Sequence, residues 1–324
     1  MKKSRVAYIL ASSHSGSTLT AMLLNSHPEV CTAGELKITA LGDVSAYRCS
    51  CRKLILECEF WQGVKGAMQR RGIDFDVGHP GTHFGNGMSG HVQSLLKPLH
   101  RGKLLELARD VGLNLVPGWR AHLRATQKNN AALVESLLEQ TGKKVIVDSS
   151  KIGIRLKFLL RNPALDVHVV RLVRDGRAVA LTYIDPASFA DASDPKLRGG
   201  GSGGDRRAEM LSPAAAAREW LRSTQEAEEL RASVPANRWL DVRYEDICGN
   251  TENTLRGIFG FLGVDPSAPR PPFRDAPHHV IGNGMRLDST SEVRLDERWR
   301  KHLDAAQLRE FDLVAGSLNR QFGY

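Results

Sequence analysis

The sequence contains no long apolar run: nothing in it approaches the roughly 18 consecutive apolar residues that mark a membrane span. The basic start MKKSR is followed by only six apolar residues before a cluster of serines. That stretch is too short for the core of a signal peptide, and no cleavage-like site of small residues follows it. We therefore expect neither a membrane span nor a secretory leader, and a cytoplasmic location.

Acidic residues are in deficit, with 36 against 45 basic ones, and the formal net charge is +9. A basic balance suggests an anionic partner, which includes nucleic acid, anionic lipid and a polyanionic cofactor. The lysines and arginines are scattered rather than run together. We therefore expect no dedicated binding of nucleic acid. The charged and apolar fractions are otherwise those of an ordinary globular protein.

Cysteine is scarce, and three of the five lie close together. Cys49, Cys51 and Cys58 form a C-x-C-x6-C cluster that, with Cys31 as a fourth ligand, would suit zinc. The spacing matches no standard C-x-x-C pair, and a reducing cytosol disfavours a disulfide. We expect a reduced, partly buried hairpin and assign no metal, although metal binding and pairing both stay open.

The most informative stretch is VAYILASSHSGST, residues 6–18. Its apolar first half predicts a buried strand, the serine-rich middle predicts a turn, and the following residues have helical spacing up to Asn25 and Pro28. The free N–H groups and the macrodipole at a helix N-terminus bind anions. The pattern is typical of a phosphate-binding loop, and the alternative is a serine-rich turn without a ligand.

The loop differs from the nucleotide-binding pattern GxxxxGK[ST] in one decisive position. Gly16 and Thr18 match the second glycine and the hydroxyl residue, whereas Ala11 replaces the first glycine and Ser17 replaces the lysine. That lysine neutralises the β- and γ-phosphates of a triphosphate. The loop therefore favours a smaller anion, such as one 5′-phosphate, and disfavours ATP hydrolysis or ordinary kinase chemistry.

Two further polar groups follow predicted strands. Glu35 comes on a loop after a short strand at residues 30–32, where a carboxylate would serve as a general base. Lys151 follows the strand at residues 145–147, at the end where open α/β sheets bind ligands, and would reach a developing negative charge. The plain alternative for both is a solvated surface residue.

A second anion site is predicted after the strand at residues 166–173. Arg174 ends this strand, and Thr182 lies about 80° away around the following helix, so both can border one cleft. A guanidinium and a hydroxyl bind phosphate well. Two anion sites on neighbouring strand ends fit a nucleotide phosphorylated at two positions.

The rest of the chain shows no internal repeat and no clear domain boundary, so we expect a single domain over residues 1–324. Two glycine-rich segments, 76–91 and 185–212, are predicted to be exposed or mobile loops. Further helices are predicted at 92–109, 128–141, 213–233, 251–262 and 308–318, and a further strand at 238–244.

Taken together, these segments resemble the sulfotransferases that use 3′-phosphoadenosine-5′-phosphosulfate (PAPS). HSGSTLTAMLLNSHPEVCTAGE is similar to their 5′-phosphosulfate loop, especially that of the tyrosylprotein sulfotransferases and their bacterial relatives. VVRLVRDGRAVALT resembles the 3′-phosphate motif, and VDSSK resembles the central strand end of bacterial members. RYEDICGNTENTLRGIFGFLG resembles a late motif, and HHVIGNGMR and DERWRKHL resemble the C-terminal segment that covers the cofactor.

The resemblance implies an α/β, P-loop NTPase-like three-layer fold with a central parallel sheet flanked by helices. It implies transfer of a sulfuryl group from PAPS to a hydroxyl, less readily an amine, with release of adenosine 3′,5′-bisphosphate (PAP). The acceptor is a small molecule or a peptide, and the chemistry requires no metal. Its identity stays open, since a tyrosine, a sugar, a lipid and a phenol all suit such a core.

The resemblance also assigns roles to residues. Glu35 takes the acceptor proton, and Lys151 stabilises charge on the transferring group. The residues expected to bind the cofactor are Ser13, His14, Ser15, Gly16, Ser17 and Thr18 at the 5′-phosphosulfate, Arg174 and Thr182 at the 3′-phosphate, and Tyr244, Asn283 and Arg286 elsewhere on the nucleotide.

Two positions depart from the family pattern. His14 stands where an Arg or Lys is usual, so it either stabilises the leaving phosphate or acts as the base instead of Glu35. Pro186 stands where the family has a further Arg, a turn beyond Thr182. The competing hypotheses are a small-molecule kinase of the same fold and a non-catalytic protein that binds a nucleotide or RNA.

Overall fold

Five strands form one parallel sheet, described here by a computed structural model that covers residues 3–39, 41–97, 102–189, 210–288 and 290–324. The strands are β1 (Ser4–Ala11), β2 (Val30–Gly34), β3 (Val145–Lys151), β4 (Leu165–Val173) and β5 (Trp239–Arg243). Their order across the sheet is β2-β3-β1-β4-β5, and every neighbouring pair is parallel.

Helices connect and cover these strands. Those in the first half are α1 (Ser17–Asn25), α2 (Glu59–Arg70), α3 (Gly90–Leu95), α4 (Gly102–Leu115), α5 (Trp119–Thr141), α6 (Gly153–Leu159) and α7 (Gly176–Ile184). Those in the second half are α8 (Pro213–Arg231), α9 (Tyr244–Gly249), α10 (Thr251–Leu262), α11 (Trp299–His302), α12 (Ala305–Phe311) and α13 (Ser317–Gln321). Within the described ranges, no helix combines the length and apolar character needed to cross a membrane.

β1 lies in the centre of the sheet because its sequence is apolar on both faces. Tyr8 and Leu10 pack in the core cluster that includes residues of α2, α5 and α6. Ala7 and Ile9 pack on the opposite face with residues of α1 and α10. The sheet is therefore covered on both sides, and the predicted P-loop NTPase-like α/β fold with three layers is confirmed.

Some predicted boundaries were wrong. β3 continues to Lys151, because Asp148 pairs with both β1 and β2, and Lys151 pairs with Leu10 of β1 after an irregularity in the register. The helix predicted at 92–109 is two helices, α3 and α4, and residues 98–101 between them lie outside the described residues. The helix predicted at 128–141 begins earlier, at Trp119, and the terminal helix contains a π-helical turn at Asp312–Gly316.

The segment at 76–91 is only in part the exposed loop that its composition suggests. Val77, Thr82 and Phe84 are buried, and the Thr82 hydroxyl donates to the Leu36 carbonyl at 2.9 Å. The glycine and histidine content did not predict this burial, because the burial of the segment depends on contacts with α5 and with the chain after β2. Of the second predicted loop, 185–212, residues 190–209 lie outside the described residues. The single domain stays a prediction.

The parallel arrangement brings four polar segments to one edge of the sheet, because the carboxyl ends of parallel strands lie together. The serine-rich loop follows β1, and Glu35 follows β2. Lys151 is the last residue of β3, and Arg174 follows β4.

Candidate active site

A cavity of about 800 Å³ lies at this edge. The loop after β1, the ends of β2, β3 and β4, and the chain segment 282–298 all contribute to its wall. The predicted site residues that line it are Ser13, His14, Gly16, Ser17, Thr18, Glu35, Lys151, Arg174, Thr182, Tyr244 and Asn283.

The loop after β1 is shaped by left-handed backbone at two residues. Gly16 has φ 86° and precedes α1 as its N-cap, and His14 has φ 63°. The first N–H groups of a helix have no acceptor within the helix, so those of α1 are available to an anion. The hydroxyls of Ser12 and Ser15 lie 2.6 Å apart, and Ser15 is fully buried outside the cavity wall. Ser15 therefore contributes loop shape rather than a hydroxyl facing the cavity.

Replacement of Gly16 by alanine is expected to destabilise the protein and to disrupt the loop. A Cβ at this position would lie 2.4 Å from Cδ2 of Tyr244, and the left-handed conformation costs a further 1–2 kcal/mol or so in a residue with a side chain. We expect a lower melting temperature in G16A by differential scanning calorimetry. In the double variant G16A/Y244A, the loss in free energy of unfolding should be clearly smaller than the sum of the losses in the two single variants. A loss equal to that sum would contradict the contact with Tyr244 as the cause.

Glu35 and two lysines form a buried charge cluster at the cavity. The Lys151 ammonium donates to Glu35 Oε1, and Lys37 Nζ lies 3.3 Å from Oε2. Burial raises the pKa of Glu35, but the charges of Lys151 and Lys37 lower it by more, so it lies below the ordinary 4.5. Glu35 is therefore ionised at neutral pH and is able to accept a proton.

The backbone holds Glu35 and Lys151 in fixed positions. The Glu35 N–H donates to the Ile281 carbonyl at 3.0 Å, directly after Gly34 with φ 85°. A Cβ at Gly34 would lie 1.8 Å from that carbonyl oxygen, so only glycine permits this approach. Lys151 itself has φ 70°, an unfavourable conformation for a residue with a side chain. Such strain is concentrated at functional sites in proteins.

A buried network beneath the cavity orients the chain around Glu35. Asp148 accepts from the N–H groups of Leu36 and Ser150 at 3.2 and 3.0 Å. Its second oxygen pairs with Arg155, also buried, at 3.0 Å. The Ser150 hydroxyl accepts from the Lys37 N–H at 3.1 Å. The polar sequence at the end of β3 therefore positions the neighbouring loop as well as supplying Lys151.

Arg174 is buried where the loop after β1 meets the segment 282–298. Its guanidinium donates to the His14 carbonyl at 2.8 Å, pairs with Asp296 at 3.1 Å and lies 4.6 Å from the Tyr244 ring centroid. Its Nε is buried without a hydrogen-bond partner. An arginine with an unsatisfied donor at a cavity wall has capacity for a further anionic ligand.

Asp296 is the protein's own carboxylate that pairs with Arg174 in this part of the site. Burial raises its pKa, but hydrogen bonds from Arg298 and the charge of Arg174 lower it well below the usual carboxyl range. Asp296 is therefore charged at every physiological pH. A second anion at Arg174 would lie near this carboxylate, and would share the guanidinium with it or displace it.

Sequence reasoning missed several residues of the cavity and misplaced one. Asp296 and Arg298 lie inside the fragment DERWRKHL, but no spacing rule singled them out. Arg286 lies outside the cavity wall: its guanidinium donates to the carbonyls of Gly282 and Arg48 and stacks on the Tyr47 ring. Its predicted contact with a nucleotide therefore has no support in the geometry. Other missed lining or adjoining residues are Lys37, Phe189, Arg274 and Arg294.

The fold and the site define an α/β protein in which a serine-rich loop before a helix N-terminus and a buried arginine lie at the carboxyl edge of the sheet. Residues 166–268 match a family model described as "Sulfotransferase family". This match contains most of β4 together with Arg174, Thr182 and Tyr244, and it confirms the predicted resemblance to the sulfotransferases. The closer likeness to the tyrosylprotein enzymes stays a prediction.

Individual relatives carry the same family name. Human carbohydrate sulfotransferase 2 is 28% identical over 187 residues, with 48% of this chain and 34% of that protein covered. Mouse carbohydrate sulfotransferase 5 is 26% identical over 175 residues, with coverages of 51% and 44%. The chain thus spans less than half the length of either relative. The sulfotransferase domain of the Synechococcus PCC 7002 olefin synthase aligns over 100% of this chain and 96% of its own, with 21% identity and a TM-score of 0.47.

Proposed function

We propose that this protein is an enzyme that transfers a sulfuryl group from PAPS to an acceptor hydroxyl and releases PAP. The observation that carries the proposal is the convergence of two anion-binding elements on one cavity. The loop after β1 has Ser17 in place of the lysine that serves triphosphates, and Arg174 comes from the next strand end. A nucleotide with phosphates at two separate positions matches this arrangement.

The residues present fit such a nucleotide. The N-terminal N–H groups of α1 would hold the 5′-phosphosulfate, because they lie next to the left-handed turn at Gly16 and lack helical acceptors. Arg174, with its unpartnered Nε, and Thr182 would hold the 3′-phosphate. The Tyr244 ring, packed against Gly16, would border the nucleotide between the two phosphates.

The proposed reaction is a displacement at sulfur. The acceptor oxygen forms the new bond to sulfur while the bond from sulfur to the bridging phosphate oxygen breaks, and the acceptor proton passes to Glu35. The negative charge that develops on the leaving phosphate is stabilised by Lys151 and by the N–H groups of the loop. Glu35 is suited to this role because it is already ionised and contacts Lys151. His14 is the alternative base.

We propose a carbohydrate hydroxyl as the first class of acceptor to examine. Support comes from the names of the human and mouse relatives, both carbohydrate sulfotransferases. The acceptor would enter beside Glu35 and Lys151. A kinase of the same fold is less well supported, because the loop lacks its lysine and Asp148, the acidic residue on β3, is engaged by Arg155.

Calorimetric titration with PAP and with ATP and magnesium tests the cofactor assignment. We expect micromolar affinity for PAP and little for ATP. Transfer of radioactive sulfate from labelled PAPS to a panel of sugars, tyrosine peptides and phenols then tests the reaction and the acceptor class. Tight binding of ATP regardless of a 3′-phosphate would contradict the proposal, and PAP binding without transfer to any acceptor in the panel would favour a non-catalytic nucleotide-binding protein.

A further inference from the structure

A second cluster of chemically active side chains lies apart from the cavity. It consists of Cys49, Cys51, Cys58 and His279, and their ligand atoms all lie within 4.8 Å of one another. The histidine is more than 200 residues away in sequence, so the cluster forms only in the folded chain. Cys31, which the sequence offered as a fourth ligand, is not part of it: its thiol contacts the Val145 carbonyl and the Thr141 hydroxyl.

Three of the six separations between ligand atoms in the cluster are close to those of a tetrahedral zinc site, and all six lie within 4.8 Å. Zinc bonds of about 2.3 Å to sulfur and about 2.0–2.1 Å to nitrogen imply tetrahedral edges of about 3.8 Å between sulfurs and about 3.6 Å between sulfur and nitrogen. Sγ of Cys51 and Cys58 are 3.7 Å apart. His279 Nδ1 lies 3.8 Å from Cys49 Sγ and 3.3 Å from Cys58 Sγ.

The surrounding chain presents these groups in defined orientations. Cys49 and Cys51 lie on a tight hairpin that is closed by a bridge between Arg48 and Leu54. Cys58 is the N-cap of α2, where the helix dipole favours a thiolate. The His279 ring stacks on Phe60, with centroids 4.4 Å apart and the planes 4° from parallel, which leaves Nδ1 directed at the sulfurs.

We propose that Cys49, Cys51, Cys58 and His279 bind a structural zinc ion. Three thiolates and one imidazole complete four-coordinate zinc and leave no open position, so the site is structural rather than catalytic. All five cysteines are free thiols, as metal ligation at three of them requires. The hairpin predicted from the sequence is therefore the scaffold of a metal site whose fourth ligand comes from the C-terminal half.

The zinc ion would tie the hairpin to a segment that borders the candidate active site. On both sides of His279, the Ser50 hydroxyl holds the chain: it donates to the His278 carbonyl and accepts from the Val280 N–H. Further along the chain, the Tyr47 hydroxyl accepts from the Gly282 N–H at 3.0 Å. Ile281, between them, accepts from the Glu35 N–H. Loss of the metal should therefore loosen the support of Glu35 as well as the hairpin.

Metal analysis of the purified full chain tests the proposal. Protein from zinc-supplemented cultures is expected to contain about one zinc ion per chain by plasma mass spectrometry. Cobalt exchanged into the site should give thiolate charge-transfer bands and the intense visible bands of tetrahedral Co²⁺. The variants C58S and H279A should each lose most of the metal, whereas C31S and C248S, at cysteines outside the cluster, should keep it.

Measurements on the unaltered protein keep the proposal testable if a cluster variant fails to fold. A strong chelator should release the zinc and lower the melting temperature, and added zinc should restore it. Folded wild-type protein that holds no stoichiometric zinc, and takes up neither zinc nor cobalt under reducing conditions, would overturn the proposal. A measured mass two hydrogens below that of the reduced chain, with no metal bound, would also overturn the zinc proposal and would indicate a disulfide between cluster cysteines.

Discussion

Replacement of Arg174 by alanine is expected to weaken PAP binding by roughly 100-fold, since charge-assisted hydrogen bonds contribute about 1.5–3 kcal/mol each. Arg174 combines a buried guanidinium, an unpartnered Nε and a position at the cavity wall, so its loss removes the main cation of the proposed 3′-phosphate site. The effect should depend on the phosphate: adenosine 5′-phosphate, which lacks the 3′ group, should bind wild type and variant about equally. Isothermal titration calorimetry measures both ligands.

Arg177 provides the matched control, because it lies on the same strand–loop–helix unit but outside the cavity. It pairs with Asp175 at 2.8 Å and stacks on Trp299. R177A should bind PAP with nearly wild-type affinity, and circular dichroism should show both variants folded. Equal losses in R174A and R177A would mean that the loss reflects the fold of this unit, and would remove Arg174 from the proposed phosphate site.

Replacement of Glu35 by glutamine is expected to lower the turnover rate by roughly 10²–10⁴-fold, the usual contribution of a general base. The side chain keeps its size, but its single amide oxygen can accept from only one of Lys151 and Lys37, and it loses the ability to accept a proton. PAP binding should change little, because the proton acceptor does not contact the 3′-phosphate. Steady-state transfer of labelled sulfate, combined with calorimetry on the same preparation, separates the two effects.

The pH dependence distinguishes Glu35 from His14 as the base. The pKa of Glu35 lies below the ordinary 4.5, so its proton-accepting form persists as the pH falls. With Glu35 as the base, the wild-type rate should stay level from about pH 8 to about pH 5. A rate that falls as the pH is lowered from about 8 to about 5, together with loss of activity in H14A but not in E35Q, would assign the base to His14. E139Q, at a carboxylate that pairs with Arg70 and Arg71 away from the cavity, should behave as wild type.

Local pattern in the sequence predicted much of the fold. Every predicted strand exists, since short apolar runs followed by polar clusters are distinctive when both faces are buried. The central parallel sheet and its flanking layers came from the family resemblance and not from periodicity, and the order of the strands was not predicted. The errors fell where tertiary contacts override local preference, as at β3, whose polar end remains paired between β1 and β2.

The residues of the site likewise divide into those that local sequence pattern predicted and those that only tertiary contacts determined. Gly16, Glu35, Lys151 and Arg174 could be named from the sequence because each lies at or just after the carboxyl end of a strand, and these ends meet at one edge of a parallel sheet. Lys37 and Asp296 could not be named from the sequence, because the role of each depends on the opposite charge that it meets. Lys37 pairs with Glu35, and Asp296 pairs with Arg174. Charge pairing across loops leaves no periodic signal.

By itself, the sequence determined the chemistry available to this protein: a serine-rich loop that lacks the lysine of the GxxxxGK[ST] pattern, a carboxylate, a lysine and an arginine at successive strand ends, and three clustered cysteines. Only the tertiary structure decided which of these groups meet. It joined Glu35 to two lysines, turned Arg286 away from the cavity and brought His279 to the cysteines. The physical reason is that a side chain's type is local, whereas its partners are set by how distant segments pack.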